Sequence, residues 1–166
     1  MDRFLGLLLA AASLGVVWYY SDVLAKSSRR MEEMQRRQSV IMDAEIARED
    51  ARKLRELLAR LQTTRGILAR AYQSPHGVPW HDVADDLMPR LESVRGVLPA
   101  DIATQLSDLH SGIEGLGFNA PSLSAVQIST EAKAHMTTLD GLLPKVQAEA
   151  RDKEERHRDL VRKTRS

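Results

Sequence analysis

Residues 40–72 read VIMDAEIAREDARKLRELLARLQTTRGILARAY, and their apolar side chains recur in alternating steps of four and three. This spacing is typical of a helix that buries one apolar seam, as in a coiled coil. The seam residues are Val40, Ala44, Ala47, Ala51, Leu54, Leu58, Leu61, Leu68 and Tyr72. Arg65 occupies the one charged position of the series. We therefore predict a coiled-coil-forming helix through this stretch.

The helical pattern extends toward the N-terminus, where the apolar stripe changes face. No proline occurs in residues 22–72, and Ala, Leu, Glu, Arg, Gln and Met, which favour helix, predominate. Met31, Met34 and Ile41 lie on a different stripe from the seam. We predict one long membrane-proximal helix over residues 22–72, in which residues 27–37 form a linker.

Before this helix lies an apolar stretch, residues 4–21, with 18 consecutive uncharged residues. As a helix it would be about 27 Å long, close to the roughly 30 Å thickness of the hydrocarbon core. Its end carries Trp18, Tyr19 and Tyr20, and aromatic residues of these types gather at membrane interfaces. We predict a single-pass transmembrane anchor at residues 1–21, with the lipid bilayer as a partner and the three aromatic residues at the membrane interface.

The flanks of the predicted anchor indicate its orientation. Only Arg3 precedes it, whereas the basic residues that follow it are Lys26, Arg29, Arg30, Arg36 and Arg37. By the positive-inside rule this bias favours a cytoplasmic C-terminal bulk. Anchors with a short N-terminal tail also export their C-terminus, so an extracytoplasmic bulk is the alternative. The run of alanines at residues 10–12 leaves a cleaved signal peptide open as an alternative to an anchor.

The remaining residues predict a short-helix head over 73–121 and a returning amphipathic helix over 122–150. Residues 73–81, QSPHGVPWH, contain two prolines and a glycine, which break a helix. Three apolar series in helical spacing follow: Val83, Leu87, Leu91, Val94 and Leu98; Ile102, Leu106, Leu109, Ile113 and Leu116; and Ala132, Met136, Leu139, Leu143, Val146 and Ala150. Residues 151–166 are charged nearly throughout, which predicts a solvated helix or a frayed tail.

Local signals set the expected helix ends in this region. We predict Asp82 as the N-cap of the first head helix. Gly115 and Gly117 are expected to end the second head helix, because glycine is common just after a helix C-terminus. Ser124 and Gln127 have the spacing of a capping box, which would begin the returning helix.

Residues 22–72 and residues 122–162, the returning helix with most of the charged segment, have comparable lengths, about 75 Å and about 60 Å if fully helical. The returning helix would therefore run back antiparallel along the first and cover its seam. The rival arrangement is a parallel dimer through residues 40–72 of two copies. Both arrangements belong to the all-α fold class, and no segment shows a convincing strand pattern.

Composition and motifs argue against catalysis and against most ligands. The net charge is +1 and basic residues are interleaved with acidic ones, which does not favour nucleic-acid binding. The chain has no cysteine. Aromatic residues make up only 4% of it, so few aromatic side chains are available to line a small-molecule pocket. His76, His81 and Asp82 share a Pro–Gly loop, but no third metal ligand is placed there, and a turn anchored by Trp80 is the preferred interpretation. We expect no catalytic residue, cofactor, metal or small-molecule substrate, and no enzymatic activity.

A chain of this layout would make protein–protein contacts next to a bilayer. We therefore expect a membrane-anchored structural or assembly protein, whose partners are the bilayer and other protein subunits or further copies of itself. The layout of a short N-tail, one span and a coiled-coil body resembles that of the phage inner-membrane spanins, although this chain has no cysteine. That resemblance implies an envelope-bridging lysis protein with an exported body. A sensory helical-bundle domain is the third hypothesis.

Overall fold

The computed structural model describes the backbone of residues 2–75 and 77–165 and the side chains of residues 17–75 and 77–164. Within these residues the chain is all-α, with four α-helices and no strand, which confirms the predicted fold class. The helices are α1 (Asp2–Gln73), α2 (Trp80–Val94), α3 (Ala100–Asn119) and α4 (Ala125–Arg165), and a short 3₁₀ helix (Ala120–Ser122) links α3 to α4.

α1 is one continuous helix whose two parts have different surroundings. Its 72 residues correspond to a length of about 108 Å at 1.5 Å per residue. The side chains of residues 17–43, which we call the stalk, are exposed except for the half-buried Asp22 and Val40. The first buried side chain in the described part of α1 is Ala44. From Ala44 onward α1 packs with α2 and α4, α3 packs with α2 and α4, and these four parts form what we call the body.

α4 runs antiparallel to the body part of α1. Near the start of α4, the Ser129 hydroxyl donates a hydrogen bond to the carbonyl oxygen of Tyr72 at 2.8 Å. Near its end, His157 Nδ1 donates to the carbonyl oxygen of Ala44 at 2.9 Å. Because late residues of α4 meet early residues of α1, the chain forms the predicted hairpin. The seam of α1 is therefore covered by α4 of the same chain, rather than by a second copy.

The buried face of α1 differs in part from the predicted seam. Of the predicted residues, Ala44, Ala47, Ala51, Leu54, Leu61 and Leu68 are buried, Val40 and Leu58 are half-buried, and Tyr72 is 44% exposed. Leu57, Thr64 and Ala71 are buried instead, each one residue before a position of the predicted series. Since α1 contacts both α4 and α2 here, its buried face is wider than the seam of a two-helix coiled coil. The last buried residue of α1 is therefore Ala71, and not Tyr72 as predicted.

α2 and α3 form the head, which packs against α1 and α4. All three predicted apolar series contribute to one core. Their buried members are Val83, Leu87, Val94, Leu98, Ile102, Leu106, Leu109, Ile113, Leu116, Ala132, Leu139, Val146 and Ala150. Leu91, Met136 and Leu143 are partly buried around this core, and Leu142 is fully buried beside Leu143. The core is almost entirely aliphatic, with Trp80 as its one aromatic residue among the described side chains.

Two predicted helix ends are wrong. α2 begins at Trp80 with Pro79 as its cap residue, so Asp82 lies in the first turn rather than at the N-cap. Its carboxylate is still favourable there, because a helix N-terminus attracts negative charge. α3 continues past Gly115 and Gly117 to Asn119. Gly117 serves close packing instead, since a Cβ atom there would lie 3.2 Å from the Cβ of Trp80 at the start of α2.

The start and the end of α4 are held by specific contacts. The predicted capping box is confirmed: Ser124 N donates to Gln127 Oε1 at 2.9 Å, and Gln127 N donates to Ser124 Oγ at 3.3 Å. Residues 151–165 continue α4 as helix. Lys153 Nζ lies 3.7 Å from Asp50 Oδ2, and both side chains are 19% exposed. The beginning of the charged segment therefore packs against α1.

The predicted membrane anchor falls in the N-terminal part of α1. In the part of the chain that the structure describes, no helix is long and apolar enough to cross a membrane. Most of the predicted anchor, residues 1–16, lies outside the residues whose side chains are described. The aromatic residues at its end are exposed: Trp18 by 74%, Tyr19 by 63% and Tyr20 by 62%.

Candidate interaction surfaces

The stalk carries most of the exposed large apolar side chains among the described residues. They are Val17, Trp18, Tyr19, Tyr20, Val23, Leu24, Met31, Met34, Ile41 and Met42, each between 43% and 74% exposed. Single exposed apolar residues are ordinary, but an extended uncovered set indicates a contact with protein or lipid. Because the described part of the chain leaves these side chains exposed, the stalk is the first candidate interaction surface.

The stalk surface has two chemically distinct parts. Next to the predicted anchor it is aromatic, and the rings of Tyr19 and Tyr20 meet edge to face at 6.0 Å. Farther along, Met31 and Met34 are 55% and 59% exposed. Methionine is flexible and polarisable, so it adapts to a partner surface. The aromatic part suits a membrane interface, and the methionine part suits a protein partner.

A groove of about 550 Å³ between α2 and α3 is the second candidate surface. Its apolar lining includes Leu91, Val94 and Leu106, and its charged residues are Asp85, Glu92, Arg95, Asp108 and Glu114. Among the described buried side-chain polar atoms, those without a hydrogen-bond partner are Arg60 Nε and Thr64 Oγ1. Neither residue lines the groove, so no unsatisfied group there points to a bound ligand.

Each described histidine lies at a contact between helices. The pairs are His81 with the Phe118 ring, His110 with the Ala84 carbonyl oxygen, His135 with Gly112, and His157 with the Ala44 carbonyl oxygen. Burial lowers the pKa of His135, and the charge of Glu131 opposes this shift. No group of three metal-ligating side chains occurs among the described residues. Of the loop considered for a metal, His76 lies outside the described residues.

Ion pairs connect α1 with α4 and α2. The guanidinium of Arg65 contacts the carboxylate of Asp140 on α4, with Nη2 3.2 Å from Oδ2. The hydrogen bond from Arg65 lowers the pKa of Asp140. On α2, Arg90 Nη1 lies 2.9 Å from Glu56 Oε2 of α1. These side chains are largely exposed, and such pairs contribute only about 0–1 kcal/mol each, so they chiefly favour the observed register.

The sequence prediction did not identify the stalk as an interaction surface. It placed Met31, Met34 and Ile41 on a different stripe from the seam of residues 40–72, and it interpreted residues 27–37 as a linker. The structure shows that this second stripe is exposed where the seam is covered. The sequence signal for this exposed stripe is a second apolar series in steps of three and four, which begins at residue 17.

No family model matches the chain, and no curated protein or solved structure is significantly similar to it. The features of the chain that bear on function are its all-α body with a hairpin of α1 and α4, its two-helix head, and a stalk with exposed apolar residues.

Proposed function

We propose that this chain is a membrane-anchored structural or assembly protein without enzymatic activity, which presents a helical body at a set distance from a bilayer. The observation that supports this proposal is the stalk of α1, whose side chains before Val40 are exposed apart from the half-buried Asp22. The 22 positions between the predicted anchor and the first buried residue of the body, residues 22–43, correspond to a spacing of about 33 Å. A rigid helix of this length separates the membrane contact from the contact surfaces of the body and adds no binding cavity.

The anchor is residues 4–21 of the sequence, and the bilayer is the first partner. Its 18 uncharged residues have the length of a membrane span, and Trp18, Tyr19 and Tyr20 have the chemistry of the interface. Basic residues follow the anchor, from Lys26 onward, which favours a cytoplasmic body. The remaining partners are protein subunits that contact the stalk or the exposed faces of the body.

Membrane extraction tests the anchor. The full chain should remain with membranes after alkaline washing, because a span is held by its apolar length. Leu9→Lys places a charge near the middle of the anchor at a cost of about 3 kcal/mol and should shift the chain toward the soluble fraction. Ser21→Lys is the matched control at the edge, where a lysine reaches the interface. Release of the unmodified chain by the wash would contradict the anchor.

Topology fusions test the orientation. Alkaline phosphatase and a fluorescent protein are fused separately after Ser166, and fluorescence without phosphatase activity is the result expected for a cytoplasmic body. The opposite result would favour the second candidate function, an exported envelope-bridging protein with the layout of the phage inner-membrane spanins. The length of α1, about 108 Å for its 72 residues, is the observation that keeps this candidate open.

A further inference from the structure

The exposed apolar residues of the stalk form one continuous helical series. Starting at Val17, alternating steps of three and four reach Tyr20, Leu24, Ser27, Met31, Met34, Gln38 and Ile41. Six of these eight residues are apolar, and the apolar ones are 49–66% exposed. A repeat of seven residues with two apolar positions is the seam of a coiled coil. This stripe is separate from the seam that α4 covers, because it lies on another face of α1 and its apolar residues are exposed, whereas the seam is buried from Ala44 onward.

We infer that the stalk pairs with the stalk of a second copy of this chain in a parallel, in-register coiled coil. Val17, Leu24, Met31 and Gln38 then occupy the a positions, and Tyr20, Ser27, Met34 and Ile41 the d positions. The inference deepens the proposed function and rests on it, because two copies anchored in one bilayer from the same side present their stalks side by side in the same direction.

The charges beside the stripe are compatible with a second copy as the occupant, and they favour the parallel direction over the antiparallel one. In a parallel pair each g position faces the following e position of the partner helix. Arg30 would then face Gln35, and Arg37 would face Met42, so no like charges meet. In an antiparallel pair with the stripes fully overlapped, Arg30 of one copy would face Arg30 of the other. The remaining charged residues of the stalk lie on the outer faces of a parallel pair, in water.

One polar residue inside the stripe adds specificity of register. Gln38 occupies an a position, and a polar side chain at a single a position selects one register, because its polar group needs its counterpart across the seam. In a parallel in-register pair the two Gln38 amides face each other and can hydrogen-bond. In a shifted register each would lie against an apolar partner such as Met31 or Met34.

The area of the stripe is compatible with a dimer that the membrane strengthens. From the exposed fractions of its apolar residues, each stalk offers at most roughly 600 Å², so a pair buries no more than about 1,200 Å², the lower limit of a specific interface. Such an interface is weak in free solution. Anchoring both copies in one bilayer raises their effective concentration and favours the pair without any new contact.

Cysteine scanning tests the pair directly, because the chain has no cysteine of its own. Single substitutions Leu24→Cys, Met31→Cys, Met34→Cys and Ile41→Cys are made in the full chain in its membrane. Matched controls on other faces of the stalk are Glu33→Cys, Arg36→Cys and Ser39→Cys. All these positions are exposed in the chain, so the body should fold unchanged.

Mild oxidation should give a covalent dimer at the four stripe positions, at least about five-fold more than at the controls, because only facing Cα atoms come within the ~6–7 Å that a disulfide spans. Dimer at both Leu24→Cys and Ile41→Cys requires the parallel direction, since an antiparallel pair joins like positions only near its centre. A second substitution, Met34→Lys, should abolish crosslinking of Met31→Cys, whereas Glu33→Lys should leave it unchanged.

Three results would overturn the inference: equal crosslinking on all faces, crosslinking confined to the centre of the stripe, or no dimer while the chain remains in the membrane. The last result would mean that a different protein or no partner covers the stripe. Failure of the proposed anchor is distinguishable, because it appears in the alkaline wash as release of the chain and not in the pattern of crosslinks.

Discussion

Replacing Gly112 by alanine tests how closely α3 and α4 approach each other in the body. A Cβ atom at Gly112 would lie 2.3 Å from Cε1 of the His135 ring and about 3 Å from both ring nitrogens. At Gly115, three residues further along the same helix, a Cβ atom meets nothing within 4 Å. The two glycines therefore form a matched pair: both lie in α3, but only the Cβ position at Gly112 has a close neighbour.

The expected free energies follow from two opposing effects. Alanine is favoured over glycine inside a helix by about 1 kcal/mol, so Gly115→Ala should stabilise the fold by about that amount. At Gly112 the same gain is opposed by the displacement of the His135 ring, and overpacking of this kind costs about 1–3 kcal/mol. Gly112→Ala should therefore be neutral to destabilising, and its free energy of unfolding should lie about 1–3 kcal/mol below that of Gly115→Ala.

The assay is urea unfolding of the full chain in mild detergent, followed by far-ultraviolet circular dichroism and by tryptophan fluorescence. Trp80 is buried in the body, whereas Trp18 is 74% exposed, so a Trp18→Phe background makes the fluorescence report on the body alone. The free energy of unfolding is obtained by linear extrapolation of the urea dependence.

The decisive comparison uses a background in which the ring is absent. In His135→Ala the space beside Gly112 opens, so adding Gly112→Ala should now stabilise the body by about 1 kcal/mol, as at Gly115. The sign of the glycine substitution should thus reverse between the two backgrounds. If Gly112→Ala has the same effect with and without the ring, the two residues are not in contact and the packing of α3 on α4 is wrong.

Three further predictions concern the core, the pH dependence and the start of α4. Leu61→Ala, at a fully buried position of α1, should lower the free energy of unfolding by about 2–5 kcal/mol, whereas Ile46→Ala, at a 54% exposed position, should change it by less than about 0.5 kcal/mol; equal effects in urea unfolding would contradict the burial. Because burial lowers the pKa of His135 from its ordinary value of 6.5, the unfolded chain takes up the proton first, so stability should fall as the pH drops below 6.5 and level off below the folded-state pKa. His135→Gln should remove that part of the pH dependence, and unfolding midpoints that decline identically in both proteins would argue against a buried ring. Ser124→Ala should cost about 1 kcal/mol through loss of the N-cap of α4, and no loss of thermal stability would show that the capping box is not formed.

Helix type is readable from the sequence because it depends on local pattern. The steps of three and four in residues 40–72 predict an amphipathic helix, and the similar series after residue 122 predicts a second one. The capping box of Ser124 and Gln127 also follows from spacing alone, since both partners lie within one turn. The break at residues 74–79 follows from proline and glycine.

Helix ends and the exact buried face depend on neighbours that are distant in the sequence. Gly117 does not end α3, because its missing Cβ is used to admit the start of α2. The predicted seam assumes one partner helix, but the body supplies α4 on one side and α2 on the other. Thr64 and Ala71 are therefore buried in place of Arg65 and Tyr72.

The all-α class, the seam and the order of the long helices thus follow from periodicity, which is a property of each segment alone. The choice between a hairpin and a dimer along residues 40–72, and the exposure of the stalk, depend on where α4 returns. α4 packs along the seam of α1 whose buried residues begin at Ala44, so it covers one apolar stripe and leaves the other exposed. Both stripes have the same local spacing, and only the packing of the whole chain distinguishes a core from a surface.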